Sequence, residues 1–435
     1  MLSLFICPAK QHATSLITSR GRRRPARHGR MAVYLYTHAG ADAAPLLPAP
    51  TPPSTDLGRH RVLVLSLPSV PSTSMRISSV PSSMRATASS ASATALAAAM
   101  NMKQPPHGAS TLFALLSLSL LLLRLLLRLR LAAFRDAALS LHLLARLRLR
   151  PVLLRLHDGA SSATTLRVWC PAAPSSKPPL LLLHGFGGDA KWTWARNLPR
   201  LSRHFHVYAP DLVFFGAQSR SASPLRSVAF QARCAAEAMR LLGVPRYDVA
   251  GISYGGFVAY RMAAAEASDA VGRLVIMTTG VAATPGEMRA MAAREDRTVE
   301  EALLPNTAEG LRFLVRRSMH RPPPWMPDFV LDDFIQLMYV DQKRERAELL
   351  HELLKTGAGF DTLPALTQET LLIWGDKDQV FPVDLGHRLH RLLGERSRLE
   401  IVSDAGHALQ LEGADHVNRF IKSFLLDERI GLGRK

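Results

Sequence analysis

From about residue 160 onward, short apolar runs alternate with helical stretches, and this rhythm constrains the fold more than any other feature of the chain. "PPLLLLHG" (178–185) is a continuous apolar run, as expected of a strand buried on both faces. Strands are expected over 164–171, 178–185, 206–212, 246–253, 272–280, 369–375 and 398–406. Helices are expected over 197–205, 225–243, 254–267, 383–394 and 414–426, with Gly243 and Pro245 as stop signals. Repeated strand–helix units imply an α/β fold, a mostly parallel sheet with helices on both faces. Residues 281–357 break the rhythm. They are helical and polar, with apolar patches such as "PPPWMPDFVLDDFIQLMYV" (322–340), and read as an inserted helical lid. Its Trp325, Met326 and Phe329 read as lid core ahead of lipid contacts. The core is therefore assigned to 158–280 and 358–435.

The strand "RYDVAGIS" runs straight into "YGGFVAYRMAAAEA", so "GISYGG" (251–256) sits at a strand-to-helix corner. A turn this tight needs small neighbours, and Gly251, Gly255 and Gly256 supply them. It lifts the Ser253 hydroxyl above the carboxyl end of the sheet, the nucleophile elbow, where open α/β sheets bind ligands.

A serine hydroxyl needs a base at neutral pH. Of the sixteen histidines, His407 in "VSDAGHALQLE" is best placed, just past the last expected strand. His351, His387 and His390 sit within helical segments and read as filler. The base needs an acid to hold its tautomer, and "IWGDKDQVFP" (373–382) offers Asp376 and Asp378 just past another strand. Two residues apart in an extended loop, they point in opposite directions, so one can face the histidine. The glycine-rich turn in "LLLHGFGG" (181–188) lets backbone N–H groups face a developing oxyanion, with Phe186 as one donor and Tyr254 as the other.

These motifs, with "YAPDLVFFG", resemble the α/β-hydrolase superfamily over about 160–430. The likeness is closest to its helical-capped serine hydrolase branch, and "DLVFFG" is similar to a group of plant α/β-hydrolases (esterase/lipase-like). The resemblance implies Ser253, Asp378 and His407 as a catalytic triad, with Asp378 as the final residue of Trp-Gly-x-x-Asp. It implies no cofactor and no metal. The branch usually carries Pro-Gly after the Asp-Leu at this strand, whereas Asp211-Leu212 here precedes Val213-Phe214-Phe215-Gly216. Phe214 and Phe215 are therefore expected to line an apolar substrate pocket. Dehalogenases and epoxide hydrolases of this fold carry Asp at the elbow, so serine points to an acyl-serine intermediate. Relatives linked to lysophospholipid acylation carry His-x4-Asp, and the chain departs from that with His407-x4-Glu412.

Charge separates the remainder of the chain. The formal net charge is +19, but residues 1–157 hold 20 Lys and Arg against three acids, and 158–435 hold 34 against 32. A nearly neutral core is not a nucleic-acid-binding one. Residues 1–110 are a basic, Ser/Pro/Arg-rich extension expected to be disordered. Their acid-poor composition fits an organelle transit peptide, with a true start near Met100 or Met102 as the alternative. Residues 111–157 are Leu/Arg-rich. No charge interrupts 112–123, and Arg124, Arg128 and Arg135 fall within roughly 40° on a helix. An amphipathic or membrane-anchoring helical segment is expected, hence membrane association. Cys7, Cys170 and Cys234 form no disulfide or zinc pattern and read as ordinary thiols.

The expected activity is hydrolysis of a carboxylic ester with an apolar acyl or lipid group, at a membrane surface. Two alternatives use the same residues. One is a carbon–carbon bond hydrolase acting on ring-fission products, and the other is a slow-turnover ligand receptor. The oligomeric state is open.

Overall fold

The computed structural model describes residues 116–119, 130–156, 163–293 and 297–426. The chain divides into two compact units. Within one, residues 36–126, only 116–119 are described, and these are helical. All else below belongs to the other unit. The expected extension 1–110 lies outside the described residues.

The first surprise is the Leu/Arg-rich segment. It forms helix α1 (Leu131–Ala145) and then strand β1 (Leu149–Leu156), so the expectation of one helical segment through 157 is corrected. Arg148, at φ +53°, makes the break. Pro151 has no N–H for a helix, whereas an edge strand tolerates it. β1 pairs antiparallel with β2 (Thr164–Pro171) along its whole length, and Leu149, Leu154 and Leu156 turn inward while Arg150 and Arg155 stay outside. The core thus begins well before residue 158.

The chain then follows the expected rhythm: β3 (Pro179–Leu183), short helices α2 (Ala190–Trp194) and α3 (Leu198–Leu201), β4 (His206–Pro210), a two-residue β5 (Arg220–Ser221), α4 (Val228–Leu241), β6 (Tyr247–Ile252), α5 (Tyr254–Arg261) and β7 (Val271–Met277). The insertion carries α6 (Pro285–Ala292), α7 (Val299–Leu303), α8 (Ala308–Ser318), α9 (Asp328–Met338) and α10 (Lys343–Thr356). Its first two helices start with reciprocal Thr–Glu capping boxes, Thr284/Glu287 and Thr298/Glu301, which satisfy otherwise unpaired N–H groups. The core resumes with β8 (Thr370–Gly375), α11 (Val383–Leu393), β9 (Ser397–Val402), α12 (Leu409–Glu412) and α13 (Ala414–Leu425).

The sheet order is β1-β2-β4-β3-β6-β7-β8-β9, with β5 beside β2. β4, β3, β6, β7, β8 and β9 run parallel, while β1, β2 and β5 pair antiparallel. Period-two alternation divides each central strand between two cores. Leu181, Leu183, Val249 and Ile276 face one, and Leu180, Leu182, Ala250 and Val275 face the other. Both faces are covered, so the strands carry no polar alternation.

Helix α1 clips the insertion to the core. Asp333 of α9 accepts the N–H groups of Ala132, at 2.6 Å, and Ala133, at 3.4 Å, and pairs with Arg130 at 3.1 Å. An anion at a helix N-terminus meets both the free N–H groups and the positive end of the helix dipole. One turn on, Asp136 accepts from the Lys191 ammonium at 2.5 Å and the Trp192 indole N–H at 2.9 Å, both on α2. The outer face of α1 leaves Phe134, Leu141 and Leu144 exposed. Among the described residues, no helix is long and apolar enough to cross a membrane.

Candidate active site

β6 ends at Ile252, α5 starts at Tyr254, and Ser253 alone makes the corner. Its φ of +54° and ψ of −118° lie where a side chain is strained. The surrounding packing holds it there. A Cβ on Gly251 would stand 2.2 Å from the carbonyl oxygen of Gly255, and one on Gly255 would stand 2.4 Å from that of Leu183. Only glycine permits helix α5 to start this close to β3 and β6.

His407, in the loop after β9, reaches this corner. Ser253 Oγ lies 2.9 Å from His407 Nε2, and His407 Nδ1 lies 3.0 Å from Asp378 Oδ2. With Nδ1–H donating to the carboxylate, Nε2 is left to accept from the serine. The Asp378 side chain is fully shielded from solvent, and its Oδ1 accepts the N–H groups of Val380, at 2.8 Å, and Phe381, at 2.9 Å. These bonds hold the acid in one orientation, and the Phe381 ring packs edge-on against His407. Asp376 turns the other way, pairing with Lys377 at 3.1 Å and accepting from Ala405 N–H at 3.4 Å.

The loop after β3 closes the other side. Gly185 packs against Ser253, and Phe186 and Tyr254 both line the adjoining cavity. Buried His184 stiffens this loop. Its Nδ1 donates to the carbonyl of Gly185 at 2.7 Å, and its Nε2 accepts from Leu212 N–H at 2.9 Å. Burial pushes its pKa down to about 4, so the ring is neutral.

The cavity beside Ser253 holds about 300 Å³ and is bounded by apolar groups from two directions. The core supplies Trp192, Ile252, Phe257 and Phe381. The insertion supplies Leu303, Leu311, Leu314, Val315, Met319, Met326, Val330, Leu331, Phe334 and Tyr339, among others. No Lys, Arg, Asp or Glu is among the described lining residues. Phe214 and Phe215 do not line it, which corrects the expectation from "DLVFFG". Both are buried beneath the site, with Phe214 at φ +73°. Phe215 packs edge-on against Phe186 and His184, each at 5.1 Å, while the Arg226 guanidinium covers Phe214. Bonds from Val213 N–H to Gln231 and from Phe214 N–H to the Ser219 carbonyl fix this inward course. The pocket wall comes instead from residues the motifs did not mark. Leu311, Leu314 and Val315 form an i, i+3, i+4 stripe on α8, a signal present in the sequence. Trp192 packs edge-on against Phe334 of α9 at 4.9 Å, joining the two walls.

The model of the family described as alpha/beta hydrolase fold matches residues 178–414, more than half of the chain. The chain belongs to this α/β hydrolase family. Among its curated relatives, this α/β hydrolase is 28% identical to a 2-hydroxy-6-oxononadienedioate/2-hydroxy-6-oxononatrienedioate hydrolase of Pseudomonas sp. over 57% of this chain and 87% of that one. It is 27% identical to Lipase 1 of Psychrobacter immobilis over 57% and 76%. Among solved structures, a membrane phospholipase A described as a bacterial virulence factor superposes with a TM-score of 0.57 at 24% identity, covering 74% of this chain and 98% of that one. At that identity the likeness is one of fold.

Proposed function

We propose that this α/β hydrolase is a serine esterase of the lipase-like kind, cleaving a carboxylic ester with an apolar acyl group through an acyl-serine intermediate. One observation carries the reading: the Ser253–His407–Asp378 hydrogen-bond relay opens onto a cavity walled by apolar side chains. Ser253 Oγ attacks the acyl carbonyl and its proton passes to His407 Nε2. The tetrahedral oxyanion takes hydrogen bonds from the amides of Phe186 and Tyr254. His407 returns the proton to the leaving alkoxide and then takes one from water, whose oxygen attacks the acyl carbon. As the acyl C–O bond breaks, His407 gives that proton to Ser253 Oγ and the carboxylic acid leaves. Asp378 stabilises the imidazolium in both half-reactions. The 281–357 insertion acts as the lid over the acyl group.

The carbon–carbon hydrolase reading draws on relatives such as the Pseudomonas enzyme above. Its substrate is a dioate by name. A cavity without a cationic side chain among its described lining residues is a poor receptor for a carboxylate, which favours the ester. Membrane association is part of the proposal. It rests on the apolar outer face of α1 and on the Leu/Arg-rich sequence leading into it.

The test is labelling of the full chain by a fluorophosphonate beside Ser253→Ala, followed by hydrolysis of acyl esters of rising chain length. Labelling of the wild type alone, with a preference for longer acyl groups, is expected. An unlabelled wild type rules out the acyl-serine step and leaves the ligand receptor, whereas labelling without chain-length preference rules out the lipase-like form.

A further inference from the structure

Glu412 is a carboxylate that the chemistry above does not use. It lies five residues beyond His407, at the end of α12, and is half-buried. Its two oxygens accept three backbone N–H groups from two separate segments. Oε2 takes Gly406 at 2.8 Å and His320 at 3.1 Å, and Oε1 takes Arg321 at 2.7 Å. Gly406 immediately precedes His407, whereas His320 and Arg321 belong to the insertion, just past α8. Two further links join the same segments. Ala408 N–H donates to the Ser318 carbonyl at 2.7 Å, and the Arg321 guanidinium meets Asp404 at 2.8 Å. His407 is therefore flanked by Ala408, bonded to the insertion directly, and by Gly406, joined to it through Glu412. The approach is close: a Cβ on Gly406 would stand 2.8 Å from the His320 nitrogen and 2.9 Å from the Ser318 oxygen.

The ring bonds of His407 to Ser253 and Asp378 set the orientation of the imidazole, but the backbone that carries it needs its own support. A carboxylate accepting N–H groups supplies bonds roughly twice as strong as neutral ones. The support matters because a misplacement of about 1 Å costs on the order of 10²-fold in rate.

We propose that Glu412 is a positioning residue for His407: by gathering Gly406, His320 and Arg321 onto one carboxylate, it sets the backbone of the base against the insertion, so that placing the base and closing the cavity are a single structural event. The inference rests on the acyl-serine reading. Glu412 touches no reacting atom and acts through Gly406. Ser318 and Met319 line the cavity at this junction, so an acyl group seated there bears on the segment that holds the base.

The experiment compares the full chain with Glu412→Ala and Glu412→Gln. It measures the rate of fluorophosphonate labelling, kcat and KM for a short soluble ester, and melting temperature. Alanine is expected to lower the labelling rate and kcat at least about tenfold with KM within about twofold, because the loss falls on the transition state. Glutamine keeps one acceptor oxygen and is expected to lie between alanine and wild type. A purely structural role lowers the melting temperature and leaves kcat unchanged below it, and that result overturns the proposal. If the alanine variant does not fold, the glutamine variant decides alone, and wild-type kcat in it overturns the proposal. A wild type that does not label removes the acyl-serine reading and this role together. A wild type that labels, beside variants that label equally fast, removes only the role of Glu412.

Discussion

The hydroxyl of Tyr339, at the end of α9, donates to the carbonyl of Gly187, in the loop after β3, at 3.1 Å. It is a bond from the insertion to the loop that borders Ser253. Tyr339→Phe keeps the buried ring and deletes this bond. Stability should fall by about 1 kcal/mol, the usual net worth of a neutral hydrogen bond. Turnover should fall several-fold as the loop loosens. Urea unfolding alongside kcat on one ester measures both.

Ser253 occupies a backbone conformation that glycine adopts freely. Ser253→Gly should therefore abolish labelling and hydrolysis while raising stability by about 1 kcal/mol, the lower end of what such strain stores. Denaturant midpoints of the two proteins test the sign. An unchanged or lower midpoint would mean that the corner is not strained.

The two acids of "IWGDKDQVFP" should separate by activity. Asp378→Asn leaves His407 facing an amide instead of a carboxylate and should cost on the order of 10³–10⁴ in kcat. Asp376 meets Lys377 and the backbone at Asp404 and Ala405, not His407, so Asp376→Asn should stay within a few-fold of wild type. Steady-state kinetics on a soluble ester decides between them.

His184 makes stability depend on pH. In the fold its pKa is held down to about 4, against an ordinary value of 6.5, because burial disfavours the charged ring. Between these values the unfolded chain binds the proton and the folded chain does not. The contribution is thus fully present above about pH 6.5 and is lost as the pH falls toward 4, by on the order of 3 kcal/mol. Replacing His184 with Gln should flatten that part of the profile, measured as denaturant midpoints from neutral to mildly acid pH.

Phe134, Leu141 and Leu144 project from α1 away from both the sheet and the insertion. Replacing all three with Ser should weaken flotation of the full chain with anionic vesicles by about tenfold or more, since each exposed side chain contributes by its buried apolar area. Hydrolysis of a short soluble ester should not change, because none of the three lines the cavity.

Much of the site was legible because its parts follow strand ends in a fixed chain order. Ser253 after β6, Asp378 after β8 and His407 after β9 need only the strand pattern and a few glycines to be placed. What surrounds them depends on tertiary pairing. "LRPVLLRL" carries leucine at both helical and extended spacings, and only the edge of β2 decides for the strand. Phe214 and Phe215 look like pocket residues by composition, but a left-handed residue in the loop turns them under the site, and local sequence does not announce that turn. The stripe Leu311, Leu314, Val315 was readable as a buried helix face. That it faces the cavity, rather than another helix, follows from where the insertion docks.

Because β1 comes from the Leu/Arg-rich segment, the sheet is not finished until residues 149–156 are in place. A fragment beginning at residue 158 would keep every motif and lose the strand that pairs along the whole length of β2. The row of N–H and C=O groups from Thr164 to Pro171 that now bonds to β1 would lie open to other molecules. Strand edges of that kind pair with one another, so the shortened chain should precipitate or associate at concentrations where the longer one stays in solution.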